Sequence, residues 1–205
     1  MRHSSQLAVA AFLVSSLCSA CAFGDRHVRL EYPPPGPEAV AAVPASAPLA
    51  ARTIHLGVFT DQRAERGRIG EVRNGWGMHT ADVVAENDVC EWVREAVRTE
   101  LERAGFHVAL DCPAPGGLEL RGEVLRVHCG AYMSYEGEVQ LSGELRRDGA
   151  VLGRYPVSGK GSAGTNWGAT EKGYGETLAL ALQAAARRLS SELSNGLRTS
   201  LNPVP

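Results

Sequence analysis

The sequence predicts an α+β fold in two layers: a mostly antiparallel sheet with two helices on one face, in the order β-α-β-β-β-α. A separate N-terminal segment and a Pro/Ala-rich tether precede it. Three observations carry this. Two stretches, 89–104 and 174–189, repeat apolar residues at helical spacing. Three consecutive stretches, 118–127, 135–145 and 151–159, alternate at period two. A sheet with one apolar face needs helices to cover that face. At 205 residues and 44% apolar content the chain has material for one core. Its 21 basic against 23 acidic side chains, a net charge of −2, argue against nucleic acid as a partner. No apolar run reaches the roughly 18 residues of a spanning helix, which excludes a polytopic membrane protein.

The N-terminus reads as an address, residues 1–20. Arg2 and His3 open it, and Leu7 to Val14 form an unbroken apolar run of signal-peptide length. Ser15-Ser16-Leu17-Cys18-Ser19-Ala20 then place small side chains ahead of Cys21, as in the lipobox of bacterial lipoprotein precursors. A peptidase that grips this segment in a narrow cleft needs small residues, and the Cys21 thiol can carry a diacylglyceryl group. Cleavage leaves 20 basic against 23 acidic groups, a balance of −3. Acyl chains contribute about 0.8 kcal/mol per buried CH₂, so two or more anchor a protein without a spanning helix. Ala22 after Cys21, by resemblance to Gram-negative lipoproteins, implies the outer membrane with the domain facing the periplasm.

Residues 21–52 comprise the lipid-anchored strand and the tether. Val28, Leu30 and Tyr32 alternate with Arg29 and Glu31, a short half-buried strand, and Pro33 to Ala51 holds six prolines of a semi-rigid spacer. The domain proper, 53–197, opens with a core strand in which Ile54, Leu56 and Val58 share a face. Residues 61–80 show no periodicity and read as a long loop. Asp88, three before Glu91, caps a helix carrying Val89, Trp92, Val93, Ala96, Val97, Leu101 and Ala104, and Gly105 ends it. Glu91–Arg94, Glu95–Arg98 and Glu100–Arg103 sit at i,i+3 on its expected exposed side. A strand over 106–110 follows, then the three-strand meander, its second turn signalled by Asp148-Gly149. Leu118, Leu120, Val139, Leu141, Leu145, Val151, Tyr155 and Val157 should face the helices. Glu119, Arg121, Glu123, Glu138, Gln140 and Glu144 should face water. A Gly-rich loop with Trp167 leads to a closing helix that stops near Asn195-Gly196, and 198–205 is a tail.

Cys90, Cys112 and Cys129 remain after lipidation of Cys21. The helix from Cys90 climbs roughly 21 Å and a strand from Phe106 returns roughly 20 Å, which favours a Cys90–Cys112 disulfide over three free thiols by a narrow margin. Adjacent strand residues such as His128 and Cys129 point to opposite faces and no CxxC or HxxxH spacing occurs, so no metal is expected. Gly159-Lys160-Gly161-Ser162-Ala163-Gly164 matches GxGxxG but does not open a βαβ unit, so no cofactor is expected either. No catalytic constellation is present. The best surface candidate is the loop with Arg63, Arg66, Arg68, Arg73 and Trp76, a composition enriched at binding hot spots. Asp61, Glu65 and Glu71 balance those charges, and the competing reading is a solvated excursion.

These pieces resemble the YajG-type family of bacterial lipoproteins. The resemblance rests on Cys21, the Val28–Pro33 strand, Asp61-Gln62-Arg63 after the first core strand, Glu102-Arg103-Ala104-Gly105-Phe106 at the helix end, the long 135–145 strand and the Ala/Leu-rich last helix. It implies location and fold rather than a reaction. The expectation is a lipid-anchored, non-catalytic binding or assembly module whose partner is another envelope protein. An accessory lipoprotein of envelope lipid or lipopolysaccharide transport is the alternative, and an envelope hydrolase the weaker one. A deep apolar cleft between helices and sheet would favour lipid handling; convergent polar groups in a pocket would favour hydrolysis.

Overall fold

A computed structural model describes residues 24–33, 53–113, 115–164 and 169–201. Cys21, most of the Pro/Ala-rich segment and Trp167 lie outside the described residues. The strands are β1 (Arg26–Val28), β2 (Thr53–Asp61), β3 (Gly70–Arg73), β4 (His79–Ala85), β5 (His107–Ala109), β6 (Leu118–Ala131), β7 (Tyr135–Arg147) and β8 (Ala150–Ala163). The helices are α1 (Val89–Arg103) and α2 (Glu171–Leu201). All eight strands join one sheet.

The long ladders are those with local turns. β6, β7 and β8 pair antiparallel over nearly their whole length. The β7–β8 turn puts Asp148 at φ 50° and Gly149 at φ 81°, the left-handed pair that a two-residue hairpin needs. On its other edge β6 is shared. Its first half pairs parallel with β2, which carries β5, and its end pairs parallel with β3, which leads to β4 and β1. The sheet is therefore mixed, with a three-strand meander on one side and two short arms on the other.

Residues 61–80, expected as a loop, hold β3 and the start of β4. Short strands rich in Gly and charge give little period-two signal, and here pairing with β6 and β1 supplies what the sequence pattern lacks. β1 also changes the role of the Pro/Ala-rich segment. Val28 and Leu30 are buried, Tyr32 is half-buried, and β1 runs parallel to β4. Residues 24–33 are thus part of the domain, and the segment after Pro33 connects β1 to β2 instead of separating an anchor from the fold.

Both helices pack on one face and against each other. Asp88 caps α1, its carboxylate accepting from the Glu91 amide at 2.9 Å, and Val89, Trp92, Val93, Ala96, Val97 and Leu101 are buried as their spacing demands. Tyr174, Leu178, Leu182, Leu189 and Leu193 of α2 meet Leu120, Leu141 and Leu145 of the sheet, all within 1% of full burial. α2 lies almost on the backbone of β8. A Cβ on Gly159 would stand 2.1 Å from the Ala181 carbonyl oxygen, and one on Gly161 2.3 Å from that of Thr177. The GxG string is therefore a helix seat within a strand.

Three side-chain expectations and one helix boundary change. Val58 is 63% exposed while Phe59 is buried, because the β2–β6 register shifts between Leu56 and Phe59. Val151, beyond a second irregularity at Leu145/Arg146, is also exposed. Glu100, expected on the wet side of α1, is buried. Its carboxylate accepts from Tyr32 Oη at 2.5 Å, Arg103 Nη1 at 2.5 Å and Arg187 Nε at 3.3 Å, fastening the N-terminal segment to both helices. α2 does not stop at Asn195-Gly196 but continues to Leu201. Gly196 lies where a Cβ would meet Tyr155 Oη at 2.4 Å, so this glycine makes room for a ring and Leu197 is buried beyond it.

Candidate functional site

The residues of the arginine loop fall into four different settings. Arg63 is buried, and this corrects its reading as a contact residue. Its Nε and Nη2 donate to the two oxygens of Asp61 at 2.9 Å each, Nη2 also to the Arg66 carbonyl at 3.1 Å, and Nη1 to the Arg68 carbonyl at 3.2 Å. A planar fork with four ordered acceptors shapes the 61–68 turn from inside. The hydrogen bonds from Arg63 hold the Asp61 carboxyl below its usual range. Arg68 and Arg73 lie nearer the surface but are engaged, Arg68 with Glu65 and Asp82, Arg73 with Glu71 and the Gly77 carbonyl. Arg66 is exposed. Trp76 stands apart, 85% exposed at the tip of the β3–β4 hairpin.

Beside the loop, on the sheet face away from the helices, lies a polar hollow of about 530 Å³ lined by residues including Arg68, Glu71, Arg126 and His128. Arg126 pairs with Glu138 at 2.9 Å, and the His128 ring lies 4.0 Å from the Glu71 carboxylate. Burial, then the neighbouring Arg126, lowers the His128 pKa. Glu65 is held low by its hydrogen bond from Arg68. Ion pairs across neighbouring strands account for this face.

The Asn74 side chain orders the Trp76 tip. Asn74 Oδ1 accepts from the amides of Trp76 and Met78 at 3.0 Å each, and Gly77 takes φ 77°. The β6–β7 turn lies alongside, with Tyr132 Oη donating to the Gly75 carbonyl at 3.1 Å. Met78, Tyr132 and Met133 are exposed there with Trp76. Composition alone could flag Trp76; Tyr132 and Met133 join it only because β3 and β6 pair in parallel.

A groove of about 870 Å³ was not visible in the sequence. It forms where residues 27–33 lie along the first turns of α2. Val28, Tyr32, Pro33, Ala179 and Leu180 supply an apolar floor, and Leu180 is 48% exposed. Glu31, Glu86, Glu171 and Glu176 outnumber Arg29 and Lys172 on its rim. Burial and the buried Glu100 carboxylate raise the Tyr32 pKa, so its hydroxyl stays a neutral donor at this wall. The space between helices and sheet is filled by the leucines already named.

The expected Cys90–Cys112 bridge is not formed; Cys90, Cys112 and Cys129 are free thiols. The return strand is shorter than its sequence suggests. β5 ends at Ala109, opposite His55, and Asp111 contacts the His55 ring at 3.1 Å. Cys90 instead borders the cleft beside Asp61 and Arg63, six residues further along β2 and so roughly 20 Å away, against the 7 Å limit for a disulfide. Burial pushes the Cys129 thiol up to about 12, and burial, then Asp88, raises that of Cys90. Among the described residues no cluster of three or more His, Cys, Asp or Glu side chains is placed to hold a metal, and no helix is long and apolar enough to cross a membrane.

No family model matches the chain, and no curated protein matches it. Solved structures do. The Xanthomonas campestris protein XCC0632, of family DUF330, superposes with a TM-score of 0.58 over 87% of this chain and 98% of its own, at 12% identity. An uncharacterized protein gives 0.52 over 83% and 97%, at 10% identity. At these identities the likeness is one of fold. A Caulobacter crescentus protein named provisionally as a lipoprotein gives 0.37 over 52% of this chain and 83% of its own, at 20% identity, too distant in fold to support an argument.

Proposed function

We propose that the chain is a lipid-anchored protein of the bacterial cell envelope, acylated on Cys21, held at the outer membrane with its domain in the periplasm. It serves there as a non-catalytic binding or assembly module for another envelope protein. The basic start, apolar run and small residues before Cys21 support the anchor. The groove beside residues 27–33 carries the binding reading, because an apolar floor with a charged rim is the anatomy of a protein interface. Its acidic excess suits a partner that presents an apolar side chain amid basic groups.

Accessory lipid handling is the second reading, and the same groove's apolar floor is what favours it. With the helix–sheet space filled, an acyl chain would lie along Tyr32 and Leu180 at the surface. A photo-crosslinker at Leu180, set against one at the exposed Leu152, distinguishes the readings in intact cells. The binding reading expects one discrete protein adduct from position 180 that Glu86→Lys with Glu176→Lys abolishes. Adducts to lipid alone favour the second reading, and equal, diffuse labelling from both positions refutes both. Radiolabelled palmitate incorporated in wild type and absent in Cys21→Ala tests the anchor.

A further inference from the structure

We infer that the paired tips of the β3–β4 and β6–β7 hairpins rest in the interface of the bilayer that holds the acylated Cys21. This rests on the proposed anchor. Trp76, Met78, Tyr132 and Met133 are 85%, 57%, 54% and 72% exposed. Four large side chains with apolar bodies stand together at one end of the sheet, held by the Tyr132–Gly75 hydrogen bond and the Asn74 turn. Trp and Tyr are the residues that settle at headgroup depth, and methionine adapts to a soft apolar surface.

The direction of β1 identifies the bilayer as the occupant. Arg26 is level with Val83 and Val28 with Ala85, in parallel, and the Asp82 amide donates to Asp25 Oδ1 at 3.1 Å. Followed backwards, the chain therefore approaches the end of the sheet where β4 leaves the Trp76 turn. In this register Gly24 is level with Ala81, three residues past Met78 and hence about 10 Å from it along the strand. Cys21 is three residues before Gly24, a reach of at most roughly 11 Å. A lipid on so short a lead brings the membrane surface to the level of the tips. The Pro/Ala-rich segment lies beyond β1 and adds no slack.

The test uses the full-length protein extracted from membranes and reconstituted into vesicles of phosphatidylethanolamine and phosphatidylglycerol, with and without brominated acyl chains. The Trp76 signal is the difference between wild type and Trp76→Phe, a change at an exposed site that the fold tolerates. The mass of the N-terminal peptide is measured on the same sample. The expected result is an acylated Cys21, bromine quenching of the Trp76 signal, loss of most iodide quenching relative to detergent-free aqueous protein lacking residues 1–23, and weaker bromine quenching in Met133→Asp. An acylated Cys21 with Trp76 open to iodide and untouched by bromine overturns the tip contact alone, and would turn attention to a protein on the tips. An unmodified Cys21 overturns both the anchor and the contact built on it.

Discussion

The meander β6–β8 and the arm β1–β4–β3 belong to one sheet but are held by different physics. The meander buries Leu120, Val139, Leu141 and Leu145 under α2 and seats Gly159 and Gly161 against the helix backbone. The arm has short strands, few large apolar side chains and many polar fastenings: Arg63 on Asp61, the Asn87 side chain on both backbone groups of Leu30, Tyr32 on Glu100. Apolar contact depends on volume and hardly on pH. Charge-assisted hydrogen bonds depend on protonation and on both partners being present.

The largest expected effect comes from volume in the meander. Gly159→Val places a branched side chain where even a Cβ would sit 2.1 Å from the Ala181 carbonyl oxygen. It should lift α2 from β8 and cost more than about 3 kcal/mol, read as a large fall in denaturant midpoint. A midpoint unchanged from wild type would show that α2 does not lie on the β8 backbone. Arg63→Ala comes next. Removing the fork strands a partly buried Asp61 and two carbonyls, for an expected loss of about 2–3 kcal/mol. Hydrogen exchange should rise in 61–73 while the meander stays protected; uniform loss of protection would make the arm and meander one cooperative unit.

The acid limb sharpens the same contrast. Asp61 has its folded pKa lowered by Arg63, and Asp82 by Arg68, so their stabilisation is complete above the ordinary value of 3.8 and is lost as pH falls below it. Stability should drop in that acid range, and Asp61→Asn should flatten the drop; an identical slope in the variant would remove Asp61 from the account. The smallest effect is chemical. At about pH 8 the exposed Cys112 should react with a thiol reagent first, Cys90 slowly, and Cys129 only on unfolding. A mobility shift under non-reducing conditions that Cys112→Ala abolishes would restore the bridge that the short β5 forbids.

Legibility divides along the same line. α1, the three meander strands and the Asp148-Gly149 turn were readable because cap, period and turn residues are all local. β3 and β4 were not, since four- and seven-residue strands with Gly and charge gain their order from partners dozens of residues away. The bulge that swaps Val58 for Phe59 leaves the composition untouched, and an i,i+3 pair such as Glu100–Arg103 looks the same in water or in a core. At the candidate sites, Trp76 was visible by composition. The groove was not, because it exists only once residues 27–33 have docked on α2.

The parallel register of β1 on β4 also has a mechanical meaning. Tension applied through the proposed acyl anchor would run along the strand axis, loading the β1–β4 bonds together in shear instead of peeling them one by one. A neighbour that tugged on the domain would meet the stiffest geometry the sheet can offer, with the bilayer as its fixed point.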